Sequence, residues 1–317
     1  MQKSINKSFH LILIIIFSVI LISCSSQKRD TRIIEPFFGD DKYVIWVHSD
    51  IQPRDKKEWY HYELAVKDIR DNFRDVDMAI IAGDIIHYSR TPHVYEWFLR
   101  TRNELSIKYW YEIAGNHEAK DYANYDRYIN KPLCYSVRVG NILILLMSDE
   151  KNSPPQDISD DTYVWWKNYV INNQNCIIIT VTHAYLEQSN LFGSWISSRN
   201  IIGSGRFADV LKQYKVDVWI AGHTHWPNYL PGNAKVSEEL NNTLFVNVAA
   251  IRKDIINYVA SRIFIFTKGS GNLLIRNRNH EKNSYDEWLD INHPLSHKFI
   301  WDGSPPSQIE GRNTVLN

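Results

Sequence analysis

Two kinds of apolar pattern alternate along this chain. The first is short and nearly continuous. Residues 43–47 (YVIWV), 78–82 (MAIIA), 109–114 (YWYEIA), 142–147 (ILILLM), 176–181 (CIIITV) and 216–221 (VDVWIA) stay apolar almost throughout. Strands covered on both faces read this way. The second pattern recurs every three or four positions. Residues 58–73 place Tyr62, Ala65, Ile69 and Phe73 at that spacing, which predicts a helix. Residues 92–102 predict another, with Thr91 as N-cap and Pro92 at its first position. Segments 161–171 and 207–214 predict two more.

From 43 to 113 the order is strand, helix, strand, helix, strand, which argues for a parallel sheet with right-handed crossovers. The texture then changes. Residues 133–139 and 142–147 flank Gly140-Asn141 as the arms of a hairpin. Strands are predicted at 176–181 and 216–220, then at 243–248, 261–267 and 272–276. The last two turn through Lys268-Gly269-Ser270-Gly271. Two such halves predict an α/β fold of stacked sheets with helices outside. Ser304-Pro305-Pro306-Ser307 and the polar end beyond it predict disorder.

The N-terminus has a different character. Lys3 and Lys7 precede an apolar run, 11–22, that only Ser18 interrupts. As a helix this run is only about 18 Å long, short of a ~30 Å hydrocarbon core. It therefore reads as the apolar region of a signal peptide. It ends in Leu21-Ile22-Ser23-Cys24, which resembles a bacterial lipobox. That resemblance implies acylation of Cys24, a mature chain beginning there, and an extracytoplasmic protein lipid-anchored to a bacterial membrane. The expected organisation is a signal peptide at 1–23 and a tether at 24–42. A folded domain follows at 43–280, then a partly disordered C-terminal extension at 281–317.

Composition narrows the function. The 317 residues include 36 Lys+Arg and 36 Asp+Glu, so the formal net charge is zero. No basic stripe is evident, and no nucleic-acid partner is expected. No protein partner is inferable. The hydrophobic fraction of 44% suits a globular chain with a substantial core. Cys134 and Cys176 adjoin strand-like runs and lack a CxxC partner, so they read as a disulfide pair or as buried thiols, not as metal ligands.

The candidate chemistry sits where apolar runs end. Asp50-Ile51-Gln52 follows the first run, and residues two apart on an extended segment point the same way. Gly83-Asp84 follows the second, Gly115-Asn116-His117-Glu118 the third, and Thr182-His183 and Gly222-His223-Thr224-His225 two later ones. Alone, each aspartate reads as a turn residue and His183 as a hydrogen-bonded core histidine. Together they set carboxylate, amide and imidazole groups at sheet ends, where α/β folds place ligands.

This series of motifs resembles the calcineurin-like metallophosphoesterase superfamily over residues 43–280. The resemblance implies a four-layer α/β/β/α sandwich with two divalent metal ions. It implies that one ion takes Asp50, Gln52, Asp84 and His225, and the other Asp84, Asn116, His183 and His223, with Asp84 bridging. His117 is then the catalytic residue beside the leaving group, and a phosphate ester the substrate, either a monoester or a diester. Gln52 departs from the commonest histidine, and its harder, weaker amide oxygen favours Mn²⁺ or Fe²⁺ over Zn²⁺. The other reading is a metal-binding lipoprotein module with the same fold and no turnover.

For substrate contacts the sequence offers residues 185–205. Tyr185, Phe192 and Trp195 are candidates for stacking on a base or sugar, and Arg199 or Arg206 for meeting a phosphate. His87 is a further substrate candidate, and His48 a neighbour. Residues 276–280 (RNRNH) read most simply as solvated charge.

Overall fold

The computed structural model describes residues 38–151 and 155–312. Cys24, the signal segment and most of the expected tether lie outside the described residues. The first sheet grows from three parallel strands: β1 (Lys42–His48), β2 (Met78–Ala82) and β3 (Tyr109–Ile113). Helix α1 (Trp59–Asn72) joins β1 to β2, α2 (Pro92–Arg102) joins β2 to β3, and the short α3 (Tyr122–Tyr128) follows. The second sheet starts with the hairpin β4 (Cys134–Val139) and β5 (Ile142–Met147). Helix α4 (Asp160–Asn172) leads to β6 (Ile177–Val181), and α5 (Gly205–Leu211) leads to β7 (Val218–Ala221). The antiparallel edge strand β8 (Ala234–Ser237) precedes β9 (Thr243–Asn247), and β5, β6, β7 and β9 run parallel.

The chain then returns to the first sheet. Strand β10 (Ala260–Thr267) pairs antiparallel with β1, β11 (Asn272–Asn279) pairs with β10, and β12 (Ser284–Tyr285) and β13 (Ile291–Pro294) both pair with β11. Strand β14 (Ser307–Arg312) crosses back to the edge of the second sheet beside β4. The segment 281–317, expected to be a partly disordered extension, thus contributes strands to both sheets as far as residue 312. The sandwich does not end at 280.

Side-chain alternation explains the four layers. Successive residues of a strand face opposite ways. Tyr43, Ile45 and Val47 enter a core between the sheets with Ile80, Ile144, Ile179 and Ile220. Val44 and Trp46 face the other way, into a core with Tyr62 and Ile69 of α1 and Phe98 of α2. On the far side Leu145, Ile178 and Trp219 pack against Trp166 of α4 and Phe207 of α5. Each central strand is buried on both faces, which is why its run is apolar almost throughout, with Thr180 of β6 a buried exception. The result is an α/β/β/α sandwich. Cys134 and Cys176 are buried thiols. Among the described residues no helix is long and apolar enough to cross a membrane.

The stretch at 276–280 is not solvated charge. Arg278 of β11 forms a two-point ion pair with Asp68 of α1, with Nε at 2.8 Å and Nη2 at 2.6 Å from its oxygens. His280 Nδ1 lies 2.7 Å from the same carboxylate, and its Nε2 lies 2.8 Å from the Ser261 hydroxyl. All four side chains are buried. Burial opposes the Asp68 charge, but its bonds to Arg278 and His280 hold it below the usual carboxylate range. The stability this group contributes is therefore present above its ordinary 3.8 and is lost as pH falls through the depressed native value. Asp68→Asn leaves the Arg278 charge buried and should cost about 3–5 kcal/mol at neutral pH. Urea unfolding across a pH series checks this: the gap between wild type and variant should narrow as pH drops below the ordinary value. A gap that does not vary with pH refutes the assignment.

Candidate metal centre

Five loops at the carboxyl ends of β1, β2, β3, β6 and β7 meet above the edges of both sheets. The ligand-type residues within them adopt unusual backbone. Asp50 (φ 51°), Asp84 (52°), His223 (69°) and His225 (51°) are all left-handed without being glycine. Such residues cost of order 1–3 kcal/mol each, and they cluster at functional sites. The adjoining glycines serve close approach. A Cβ on Gly115 would sit 2.6 Å from the Asp84 amide nitrogen, and one on Gly222 would sit 2.7 Å from Asp50 Oδ2. Any side chain there pushes two loops apart.

Asp84 lies at the middle. His183 Nε2 is 3.2 Å and His117 Nε2 3.9 Å from its Oδ2, and the His117 backbone amide donates to its Oδ1 at 3.0 Å. Asp84, His183 and His223 each offer one ligand atom, all within 4.8 Å of one another. Asn116, next in the chain to His117, has a buried Oδ1 with no hydrogen-bond partner. On the other flank His225 Nε2 is 3.2 Å from Asp50 Oδ1. Gln52 Nε2 lies 3.1 Å from Asp84 Oδ2 and 2.8 Å from His225 Nε2. The Gln52 oxygen turns away, towards His87 Nδ1 at 3.2 Å and Arg252 Nη1 at 3.3 Å.

The histidines are held in defined tautomers. Carbonyls only accept, so His183 Nδ1 donates to Ala82 O at 2.8 Å and His117 Nδ1 to His87 O at 2.6 Å. Each then presents Nε2 to the site. His225 Nδ1 is 2.6 Å from Asp254 Oδ2, the carboxylate–imidazole pairing that orients metal-binding histidines. Charges stabilise one another here. Burial works against the Asp84 carboxylate, yet His183, His117 and His223 hold it well below its usual range. Burial likewise opposes a charged His225, but Asp50 and Asp254 push it up to about 9. His223 is lowered to about 4 by burial and by His183.

Four residues near the centre drew no assignment from the sequence. Glu118 is fully buried, and its oxygens accept from the backbone amides of Asp84 (3.0 Å), Ile86 (2.8 Å) and Gly115 (2.9 Å). It clamps the second loop to the third. Its place in the Gly-Asn-His-Glu motif was the available signal. Asp254 and Arg252 sit on the loop after β9, where no local pattern marks them. Asp149, at the end of β5, is a further buried carboxylate, pushed up to about 7 by burial.

The expected substrate residues fare unevenly. Tyr185 is buried, its hydroxyl 2.5 Å from Thr224 Oγ1, so it braces the histidine loop and has no face for a ligand. Arg206 pairs with Asp160, donates to the Ile158 carbonyl and stacks on Tyr163, so it is engaged in packing α5 against α4. Arg199 lies across the Gly193 backbone. Trp195 is 65% exposed, edge-on to Phe192, which stacks on Trp226 just after His225. His87 reaches the centre itself, through Gln52 and through a ring contact with His117 at 4.6 Å. His48 is buried against Trp46 as a core neighbour.

Oxygen and imidazole donors, an unsatisfied Asn116 oxygen and clustered carboxylate and histidine atoms fit divalent cations. A sandwich of this kind with such a site defines a metallophosphoesterase. The calcineurin-like phosphoesterase family profile matches residues 43–227, and the chain belongs to that family. Among solved structures it is similar to the purple acid phosphatase PPD1 of yellow lupin (Lupinus luteus), with TM-score 0.56 and 16% identity. That match covers 77% of this chain and only 52% of the lupin protein, so the chain spans about half of its length. It is also similar to GAP50, the anchor in the inner membrane complex of Plasmodium, with TM-score 0.55 and 10% identity, covering 82% of this chain and 91% of that one. At such identities the likeness is one of fold. No curated protein matches the sequence.

Glu118→Gln tests the clamp. Whichever end of the amide carries the NH₂ faces backbone N–H, so one donor (Ile86) or two (Asp84 and Gly115) lose their acceptor. A loss of about 1–3 kcal/mol is expected in thermal unfolding, with weaker metal uptake. Wild-type stability and metal content in this variant would remove Glu118 from the role given to it.

Proposed function

We propose that this chain hydrolyses a phosphate ester, monoester or diester, with two divalent cations. One is assigned to Asp50, Gln52, Asp84 and His225, the other to Asp84, Asn116, His183 and His223. Bound divalent cations supply Lewis-acid charge that attracts a phosphate and makes a water acidic enough to attack near neutral pH. The chain's own residues do the rest. His117 carries the reading, because it is not among the assigned ligands and its ring is fixed. With Nδ1 tied to the His87 carbonyl, Nε2 faces the centre, 3.9 Å from Asp84. Nδ1–H stays on the His87 carbonyl, so the donor form is the imidazolium with a second proton on Nε2. As a water that has released a proton to solvent bonds to phosphorus and the bond to the leaving oxygen breaks, that oxygen takes the Nε2 proton. A module that only held metal has no need of that imidazole.

Gln52 makes the two halves unequal. Offering its oxygen to a cation means turning the amide over and giving up the Arg252 contact. The cation beside Asp50 is therefore held more loosely, with a preference for Mn²⁺ or Fe²⁺ over Zn²⁺. We also propose that the protein is extracytoplasmic and anchored to a bacterial membrane through an acylated Cys24.

Hydrolysis of p-nitrophenyl phosphate and bis-p-nitrophenyl phosphate with Mn²⁺ is the direct measurement. His117→Ala should lower kcat by about 10²–10⁴ with metal content retained, and Asp84→Asn should lose metal and activity together. Metal-loaded protein inert to both esters would make it a binding module. In calorimetric titration Gln52→His should tighten the weaker site and raise its relative affinity for Zn²⁺; unchanged isotherms contradict the assignment. Cys24→Ser should move the protein from the membrane to the soluble fraction, and retention at the membrane rules out that anchor.

A further inference from the structure

The Gln52 amide is gripped at both ends, and the grips fix which end is which. Its inner end lies 2.8 Å from His225 Nε2, 3.1 Å from Asp84 Oδ2 and 3.4 Å from Asp50 Oδ1. Ionised carboxylates only accept, so this end is the nitrogen. Its outer end lies 3.3 Å from Arg252 Nη1 and 3.2 Å from His87 Nδ1. A guanidinium only donates, so this end is the oxygen. The amide nitrogen therefore stands among atoms of the three other residues assigned to one cation. The oxygen assigned to that cation faces outward.

Arg252 is itself firmly held. It is buried, on the loop between β9 and β10. Its backbone amide donates to Asp50 O at 2.9 Å, and its carbonyl accepts from Asn257 Nδ2 at 3.0 Å. Its Nε lies 3.3 Å from Asp254 Oδ1, and the other oxygen of that carboxylate is the partner of His225 Nδ1. One arginine thus meets the Asp50 backbone, the Gln52 oxygen and the carboxylate behind His225. Turning the amide over sets its NH₂ against Arg252, donor to donor. It also sets its oxygen against two carboxylates, acceptor to acceptor. A cation relieves only the second conflict.

Resting on the two-cation reading above, we infer that Arg252 is a positioning residue: it latches the Gln52 amide with its nitrogen inward, and so sets how tightly the cation assigned to Asp50, Gln52, Asp84 and His225 is held. Arg252 and that cation compete for one oxygen. The amide has two orientations, one for each competitor, and each competitor weakens the hold of the other by the same factor. The cation assigned to Asp84, Asn116, His183 and His223 does not use that oxygen and stays outside the competition. Arg252 also repels a cation simply as a charge, so the experiment removes it in two backgrounds.

Wild type, Arg252→Met, Gln52→His and the double variant are titrated calorimetrically with Mn²⁺. Arg252→Met should tighten the weaker phase by about tenfold or more, the order expected for a hydrogen bond from a charged donor, and leave the tighter phase unchanged. Histidine at 52 has no amide to turn, so adding Arg252→Met to Gln52→His should alter the weaker phase little. His87→Phe removes the other donor to the same oxygen and should shift the weaker phase the same way by less; it decides the matter if Arg252→Met does not fold. Electron paramagnetic resonance at two equivalents of Mn²⁺ should show more of the spin-coupled pair in Arg252→Met than in wild type. An equal gain in both backgrounds makes Arg252 a mere charge and overturns the inference. So does no gain, or loss of both phases together. A latch that behaves as expected in a protein inert to both nitrophenyl esters supports the inference and sinks the hydrolytic reading alone. A hydrolase whose weaker phase ignores Arg252 does the reverse.

Discussion

Asp50 and Asp84 are buried together on adjacent loops, and the surrounding structure is organised by that repulsion. Two carboxylates removed from water lose hydration and oppose one another. The chain answers with imidazoles set at 3.2 Å, His225 against Asp50 and His183 against Asp84, and with the Gln52 amide spanning from Asp84 to His225. Backbone amides complete the answer, His223 N to Asp50 and His117 N to Asp84, each at 3.0 Å. Left-handed backbone at four ligand-type residues lets these groups face inward. The arrangement that tolerates two buried anions is also the one that receives cations.

The two sheets meet at this point from opposite sides. Asp50, Asp84 and His117 come from the first sheet, and His183, His223 and His225 from the second. Gly83 and Gly222 are where the halves touch, at His183 and at Ser49–Asp50. The inter-sheet core that sets the spacing of the layers therefore also sets the spacing of the centre. Behind that contact, Glu118 fixes the second loop to the third, and Asp254 fixes the orientation of His225.

The central strands were legible because burial on both faces leaves few polar positions to confuse the pattern. The motif residues were legible because carboxylates, amides and histidines beside glycine at strand ends make poor core. Other parts could not be read for physical reasons. Strand β8 is an exposed edge, with Lys235 and Val236 facing solvent, so it carries no apolar signature. The Arg-Asn-Arg-Asn-His stretch looked solvated because its partner, Asp68, is some 210 residues away in sequence. Tyr185 looked like a stacking residue because nothing local reveals that its hydroxyl ends on Thr224, inside the histidine motif. Arg206 misled for the same reason. A side chain's chemistry is visible in sequence, but the element it packs against is not.

The place of β1 in its sheet has a kinetic meaning. This first strand is central, with β2 on one side and β10 on the other. Its β10 neighbour is made late in the chain: Trp46 and Ser261, which share a hydrogen bond across the two strands, are separated by 215 residues. Until β10 emerges, one edge of β1 exposes unpaired amides and carbonyls, as a template for wrong pairing. Closing so long a loop before any contact repays it makes assembly slow. A nascent chain of this design must therefore be kept from its neighbours until nearly all of it has been delivered, and shortening it from the C-terminal side strands its first element instead of its last.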